Sequence, residues 1–199
     1  MSATTHEHAD RGDEFLERAF RELLIERGVL TQAEVDARVE FMYEREGAAY
    51  GQRVVARAWA DPAFRARLLA DGSAAARELG IEIGALKLVV VENTPQVHNL
   101  IVCTLCSCYP RMLLGMAPDW YKSVAYRSRA VREPRALLAE FGLQVDAQRT
   151  LRVHDSTADM RYLVLPMRPV GSESLDETAL AALVTRDSMV GVAEVQLPA

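Results

Sequence analysis

Two hydrophobic periodicities divide this chain. Up to about residue 80, apolar positions recur at helical spacing; beyond it, short β-branched runs alternate with further helical stretches. In "DEFLERAFRELLIERG" the apolar residues Phe15, Leu16, Phe20, Leu23 and Leu24 share one helix face, and Gly28 stops the run. Thr31 and Glu34 in "TQAE" form a capping-box pattern that predicts a second helix running to about Glu46. "GQRVVARAWA" predicts a third. In "DPAFRARLLADG" Asp61 caps, Pro62 takes the first helical position and Gly72 lies beyond the end. "SAAARELG" predicts a short last helix. The first two helices carry long charged sides, which suit an arm lying across a partner as well as a bundle.

After residue 81 the texture changes. "ALKLVVVENTP" and "QVHNLIV" predict two strands, and the second leads straight into Cys103. Pro110, Gly115 and Pro118 mark a loop region, and Pro134 opens a helix, "PRALLAEFG", that Gly142 closes. "LRVHD" and "MRYLVLP" predict two more strands. Ser174 and Glu177 box the start of "LDETALAALV", and "SMVGVAEV" predicts a last strand. The order predicts an α+β fold: a disordered tail over 1–12, a helical arm over 13–80 that contacts a partner, and a mixed strand/helix core over 81–199.

Composition narrows the function classes. The 199 residues suit one domain with an appended arm, and the net charge of −5 without a Lys/Arg stripe argues against nucleic acid. The polar N-terminus has no apolar h-region, and no run approaches the ~20 apolar residues of a membrane span. A cytoplasmic protein is expected, with no membrane partner. His6 and His8 flank Glu7, but on a solvated tail.

All three cysteines lie in "VCTLCSCYP", as Cys103, Cys106 and Cys108. In a reducing compartment such a cluster points to metal or redox chemistry rather than to disulfides. Structural zinc wants four ligands, and His98 is the nearest candidate for a fourth. An iron–sulfur cluster wants four thiolates, and a thioredoxin-like pair leaves Cys108 without a role. A fourth reading uses the Cys106-Ser107-Cys108 spacing. If the backbone amides of Ser107 and Cys108 lose their protons, two nitrogens and two sulfurs chelate a metal in a plane, with Cys103 capping it. Such donors suit a trivalent low-spin Co(III) or Fe(III) ion better than zinc.

"VCTLCSC", preceded by "VVVENTPQVHN" and followed by "DWYKSVAYRSRAVREPRALLAEFG", resembles the α subunit of nitrile hydratase. The resemblance continues through "MRYLVLPMRP" and "LVTRDSMVGVAE" and takes in nearly the whole chain. The same family includes the metal-bearing subunit of thiocyanate hydrolase. The resemblance implies metal ligation by Cys103, Cys106, Ser107 and Cys108, with Cys103 a thiolate, Cys106 a sulfinate and Cys108 a sulfenate. Thr104 after the first cysteine favours a non-corrin Co(III) centre, with Fe(III) as the alternative. Cys106 and Cys108 are then the catalytic cysteines, which add water to a small-molecule nitrile. The implied partners are a β subunit, whole or split, whose arginines bond the sulfur oxygens, and a cobalt-delivering activator protein.

Arg111 and Met112 in "YPRMLLG" stand where common relatives carry Trp and Pro, and "EIGA" stands where many carry a Gln. Arg111 and Tyr109 are therefore the candidate substrate-binding residues, and the Arg suits a larger or more polar nitrile, or thiocyanate. A zinc-binding interaction module is the rival from another class. His154, Asp155 and Ser156 are consecutive, which makes them a strand end and turn rather than a triad. Trp120, Tyr121 and Tyr126 are expected in helix packing. Arg127, Arg129, Arg132 and Arg135 are expected to form ion pairs at a subunit interface, or else a solvated face.

Overall fold

The computed structural model describes residues 3–37, 48–106 and 108–198. Contacts divide the chain into two compact units, Met1–Arg45 and Glu46–Ala199.

In the first unit, helix α1 spans Ala3–Glu26 and so takes in most of the segment expected as a tail. Nothing in "ATTHEHADR" breaks a helix: it holds neither proline nor glycine. Phe15, Leu16, Phe20 and Leu23 all stand exposed on α1. On its polar side Arg18 pairs with Glu22 at 3.1 Å and Arg21 with Glu17 at 3.5 Å, each one turn apart. Gly28 turns the chain at φ +66°. The expected capping box then forms: Thr31 N donates to Glu34 Oε2 at 2.8 Å, and Glu34 N donates to Thr31 Oγ1 at 3.2 Å. It opens a helical segment at 32–37; the expected continuation to Glu46 lies outside the described residues.

The second unit begins with helices α2 (Ala49–Ala60), α3 (Pro62–Ala70) and α4 (Gly72–Glu78). They do not belong to an arm reaching residue 80. Val54, Val55, Phe64, Leu68, Ala75 and Ala76 join the same core as the strands, so the core starts near residue 46. Asp61 caps α3 as expected, accepting from Ala63 N and Phe64 N. Gly72 lies beyond the end of α3, as expected, and also opens α4, which Asp71 caps. A Cβ there would sit 2.7 Å from Leu88 O, so the helix start lies tight against the next strand. Leu88 N donates to Ser73 Oγ at 2.8 Å, which covers that strand's edge.

Four strands form where the pattern places them: β1 (Lys87–Glu92), β2 (Val97–Val102), β3 (Thr150–Asp155) and β4 (Met160–Leu165). β1 pairs with β4 and β2 with β3, both in parallel. A parallel pair requires a long crossover. Between β2 and β3 this holds the cysteine loop and helices α5 (Arg111–Leu114), α6 (Asp119–Lys122), α7 (Val124–Arg132) and α8 (Pro134–Glu140). In the β2–β3 register Val102 faces Asp155, so Cys103 leaves the ladder beside the end of β3.

Two expectations near the C-terminus fail. Helix α9 (Glu177–Leu183) is capped by Asp176, which accepts from Ala179 N at 2.8 Å, and not by a Ser174–Glu177 box. "SMVGVAEV" is not a strand, because Arg186–Val190 forms helix α10. Thr185 and Ser188 make a reciprocal capping box, and Gly191 ends the helix in the left-handed region at φ +94°. These start and stop signals outweigh the apolar run between them. A Cβ on Gly191 would lie 2.0 Å from Asn99 O, so the turn rests directly on β2.

That contact closes a buried polar network. His98 Nε2 donates to Gly191 O at 2.8 Å, and Asn93 Nδ2 lies 3.4 Å from the other ring nitrogen. Asn99 N donates to Asn93 Oδ1 at 2.8 Å, and Asn99 Oδ1 accepts from His154 Nε2 at 2.8 Å. His98 is thus a satisfied strand residue, fully buried. Burial holds the pKa of both histidines below the ordinary value, against the Gly191 bond at His98 and helped by Arg152 at His154. Among the described residues no helix is long and apolar enough to cross a membrane.

The histidine shifts give a pH dependence with a definite sign. A depressed folded pKa means the unfolded chain binds protons first, so folding is favoured above the unfolded value of about 6.5 and loses that support as pH falls. Urea unfolding should show a flat midpoint between pH 7 and 8 and a falling one from pH 6.5 to 5, above the carboxylate range. A midpoint unchanged or rising on acidification contradicts neutral buried imidazoles.

Candidate metal centre

The cysteine loop begins where β2 ends. Cys103 is buried, Cys106 exposed and Cys108 half-buried, and all three are thiols. Their sulfurs lie within 4.8 Å of one another. Cys106 Sγ is 3.5 Å from Cys103 Sγ and 3.1 Å from Cys108 Sγ. The turn is stabilised by Cys106 N, which donates to Cys103 Sγ at 3.3 Å. Ser107, expected to lend its backbone nitrogen, lies outside the described residues.

The loop is held from several sides. Asp155, at the end of β3, accepts from Thr104 N at 2.9 Å and from Thr104 Oγ1 at 2.5 Å. Arg127 Nη1 donates to the Thr104 carbonyl at 3.4 Å. Tyr121 Oη donates to the Cys108 carbonyl at 3.0 Å, and Tyr126 Oη to the Ile101 carbonyl at 2.6 Å. Burial pushes both phenols above their ordinary range, so each stays a donor at neutral pH. Trp120, Tyr121, Tyr126 and Phe141 pack edge-on in one cluster, which fulfils the expectation of helix packing.

The site's chemistry suits a metal cation. Burial, then the neighbouring Cys106 and Cys103 thiols, push the Cys108 thiol up to about 12. Three thiolates so close repel one another unless a cation binds them, and binding would expel their protons. A four-ligand zinc site fits poorly. No His, Asp or Glu joins the three thiols among the described residues, and His98 is committed to Gly191.

The other expected residues fall on two sides. Tyr109 is buried, its ring edge-on to Tyr121 at 4.9 Å, and its hydroxyl has no hydrogen-bond partner among the described residues. Arg111 is exposed at the start of α5, with Nη2 3.0 Å from Met116 Sδ. The arginines of α7 and α8 divide. Arg129 bonds Glu133 and Glu140 within the chain, and Arg135 bonds the carbonyls of Val145, Asp146 and Arg149. These two are internal struts. Arg127 and Arg132 line a shallow groove with Thr104, Val124, Ser128 and Val131 beside the loop.

Residues 12–193 match the family described as nitrile hydratase, alpha chain. The chain belongs to this family. It is 49% identical over 177 residues to the low-molecular-weight cobalt-containing nitrile hydratase subunit alpha of Rhodococcus rhodochrous, covering 88% of this chain and 85% of that one. It is 40% identical over 192 residues to the thiocyanate hydrolase subunit gamma of Thiobacillus thioparus, covering 90% and 79%. Among solved structures, an iron-type nitrile hydratase from Comamonas testosteroni Ni1 superposes with a TM-score of 0.87 at 41% identity, covering 100% of this chain and 96% of that one.

Asp155 is the residue that sequence reading passed over, since it stood only as part of a strand end. Its role needs the parallel register, which sets it across from Val102. Asp155→Ala removes both bonds to Thr104, while Asp155→Asn keeps an acceptor for one. The Ala variant should lower metal uptake by roughly tenfold or more, as loss of an outer-shell partner does, with the Asn variant in between. The exposed position limits the effect on unfolding temperature. Metal analysis beside thermal melts checks this, and a wild-type metal content in the Ala variant contradicts it.

Proposed function

We propose that this chain is the metal-bearing subunit of a cobalt nitrile hydratase, converting a nitrile and water to the amide. The observation that carries the reading is the convergence of three cysteine sulfurs within 4.8 Å at the end of β2, in a chain of this family. Cys103, Cys106 and Cys108, with the backbone nitrogens of Ser107 and Cys108, would hold the ion. Thr104 and the cobalt-containing relative favour Co(III) over the iron of the structural neighbour. Bound there, a trivalent ion supplies Lewis acidity that polarises the nitrile.

The chain's own residues then divide the work. Asp155 and Thr104 fix the first turn of the loop, and Cys103, buried, keeps water from that side. Exposed Cys106 and half-buried Cys108 are the sulfurs open to oxidation by dioxygen, to sulfinate and sulfenate. Either the Cys108 oxygen takes a proton from water as that water attacks the nitrile carbon, or it attacks the carbon itself and water then cleaves the new link at sulfur, restoring the sulfenate; the imidate gains a proton on nitrogen, loses the one on oxygen and becomes the amide. Sulfur oxygens carry negative charge and call for cationic donors, which a β subunit, whole or split, would supply. Exposed α1 would serve as the arm toward that subunit. A cobalt-delivering activator and a cytoplasmic location complete the reading.

Arg111 supports a second reading, thiocyanate hydrolysis. It places an exposed cation three positions after Cys108, and a thiocyanate hydrolase subunit is among the relatives. Under the first reading the same guanidinium selects a larger or more polar nitrile over simple ones.

Two measurements test this. Purified with its partner from cobalt-supplemented cells, the chain should hold about one cobalt that resists chelators; stoichiometric zinc without cobalt or iron would overturn the catalytic reading. In the same complex, Arg111→Trp should shift the ratio of kcat/KM for a neutral aliphatic nitrile against thiocyanate by roughly tenfold toward the nitrile. An unchanged ratio removes Arg111 from substrate selection.

A further inference from the structure

The two tyrosine hydroxyls under the loop have a placement that packing does not require. Tyr121 and Tyr126 belong to successive helices, α6 and α7, with rings 5.5 Å apart and almost no exposed area. A phenylalanine would fill the same space, as Phe141 does in the same aromatic cluster. Instead each ring carries a hydroxyl to one carbonyl. Tyr126 reaches Ile101 at 2.6 Å, two residues before the first cysteine, and Tyr121 reaches Cys108 at 3.0 Å, the last cysteine. All three sulfurs lie between these two pinned carbonyls. A buried carbonyl needs a donor; the Cys108 carbonyl lies on a loop with no ladder to provide one, and the Ile101 carbonyl, near the end of β2 before the loop, takes its donor from Tyr126. Pinning the Cys108 carbonyl also fixes the peptide plane beyond it, and with it the direction of the Cys108 side chain.

We propose that Tyr121 and Tyr126 are positioning residues that bracket the cysteine loop from below and set its three sulfurs in a metal-accepting arrangement. The inference rests on the reading that this loop holds cobalt. Neither residue touches the substrate; Tyr126 acts through a carbonyl of β2 just before the loop and Tyr121 through the carbonyl of its last cysteine. Asp155 holds the loop's upper turn, so the tyrosines and the carboxylate clamp it on two sides.

The test uses the complex with its partner subunit, prepared without cobalt and reduced. Anaerobic titration with Co(II), followed by thiolate-to-cobalt absorption, reads both affinity and ligand geometry. Tyr121→Phe and Tyr126→Phe should each weaken binding roughly tenfold and change the absorption envelope, as outer-shell substitutions at metal sites do. Tyr50→Phe, on α2, should titrate like the parent. Amide hydrogen exchange supplies a second reading for any variant that melts lower: acceleration should be confined to peptides covering 101–109. Parent-like affinity and spectra in both loop variants overturn the bracket while leaving the cobalt reading in place. Acceleration spread over the whole chain overturns it too, since the tyrosines would then be general core residues. If the parent complex itself takes up no cobalt, the metal reading falls and the bracket with it.

Discussion

The parallel pairing of β2 with β3 is the constraint on which the site depends. Three thiols do not stay together on a free loop, because ordering it costs roughly 1–2 kcal/mol of backbone entropy per residue. This chain meets that cost by hanging the loop from a finished ladder. Val102 ends β2 opposite Asp155, so the first residue beyond the strand is already placed and the carboxylate next to it is in reach of Thr104. The crossover that parallel pairing demands then returns beneath the loop as α6 and α7, bringing the aromatic cluster with it. Topology and site are one arrangement here: the segment that must cross over is the segment that carries the ligands and their supports.

The same arrangement separates the folding core from the chemistry. Leu100, Ile101 and Val102 are fully buried, while the loop four residues later exposes Cys106. The core therefore reaches up to the site and stops. A buried polar network of His98, Asn93, Asn99 and His154 ties β2 to β3 and to the turn at Gly191 without entering the loop. Such networks are costly when partly satisfied, so a connected one favours a single register. A one-residue slip of β2 would break it and move Cys103 away from the end of β3 at the same time.

What could be read in the sequence follows physical range. Local signals gave the Thr31–Glu34 box, the Asp61 cap and all four strands, because each is decided within a few residues. The α+β order and the crowding of thiols were also local, as was the family resemblance carried by "VCTLCSC". Strand pairing was not. That β2 lies beside β3, and β1 beside β4, involves residues more than fifty positions apart, and with it went the role of Asp155 and the hydroxyl contacts of Tyr121 and Tyr126. The run "SMVGVAEV" misled for the opposite reason. Its apolar pattern suggests a strand, but the helix start at Thr185 and the left-handed stop at Gly191 decide the local structure. The extent of the arm misled because an amphipathic helix has the same pattern whether its apolar face meets its own core or a partner.

A single scaffold that serves both nitrile and thiocyanate chemistry must place selectivity outside the ligand set. The cysteines, the Asp155 clamp and the aromatic floor all act on the loop and distinguish no substrate. Under the proposed function, discrimination would fall to side chains that rim the site. Arg111 opens α5, a helix of four residues with no side-chain cap. Leu113 and Leu114 of the same helix are buried in the core, so its exposed first position is the one free to vary. Fold-level kinship therefore identifies the reaction centre far more firmly than the molecule it acts on. At this site a residue's exposure and charge count for more than its place in the core. Arg111 has both, whereas Tyr109, next to the last cysteine in sequence, is turned inward against Tyr121.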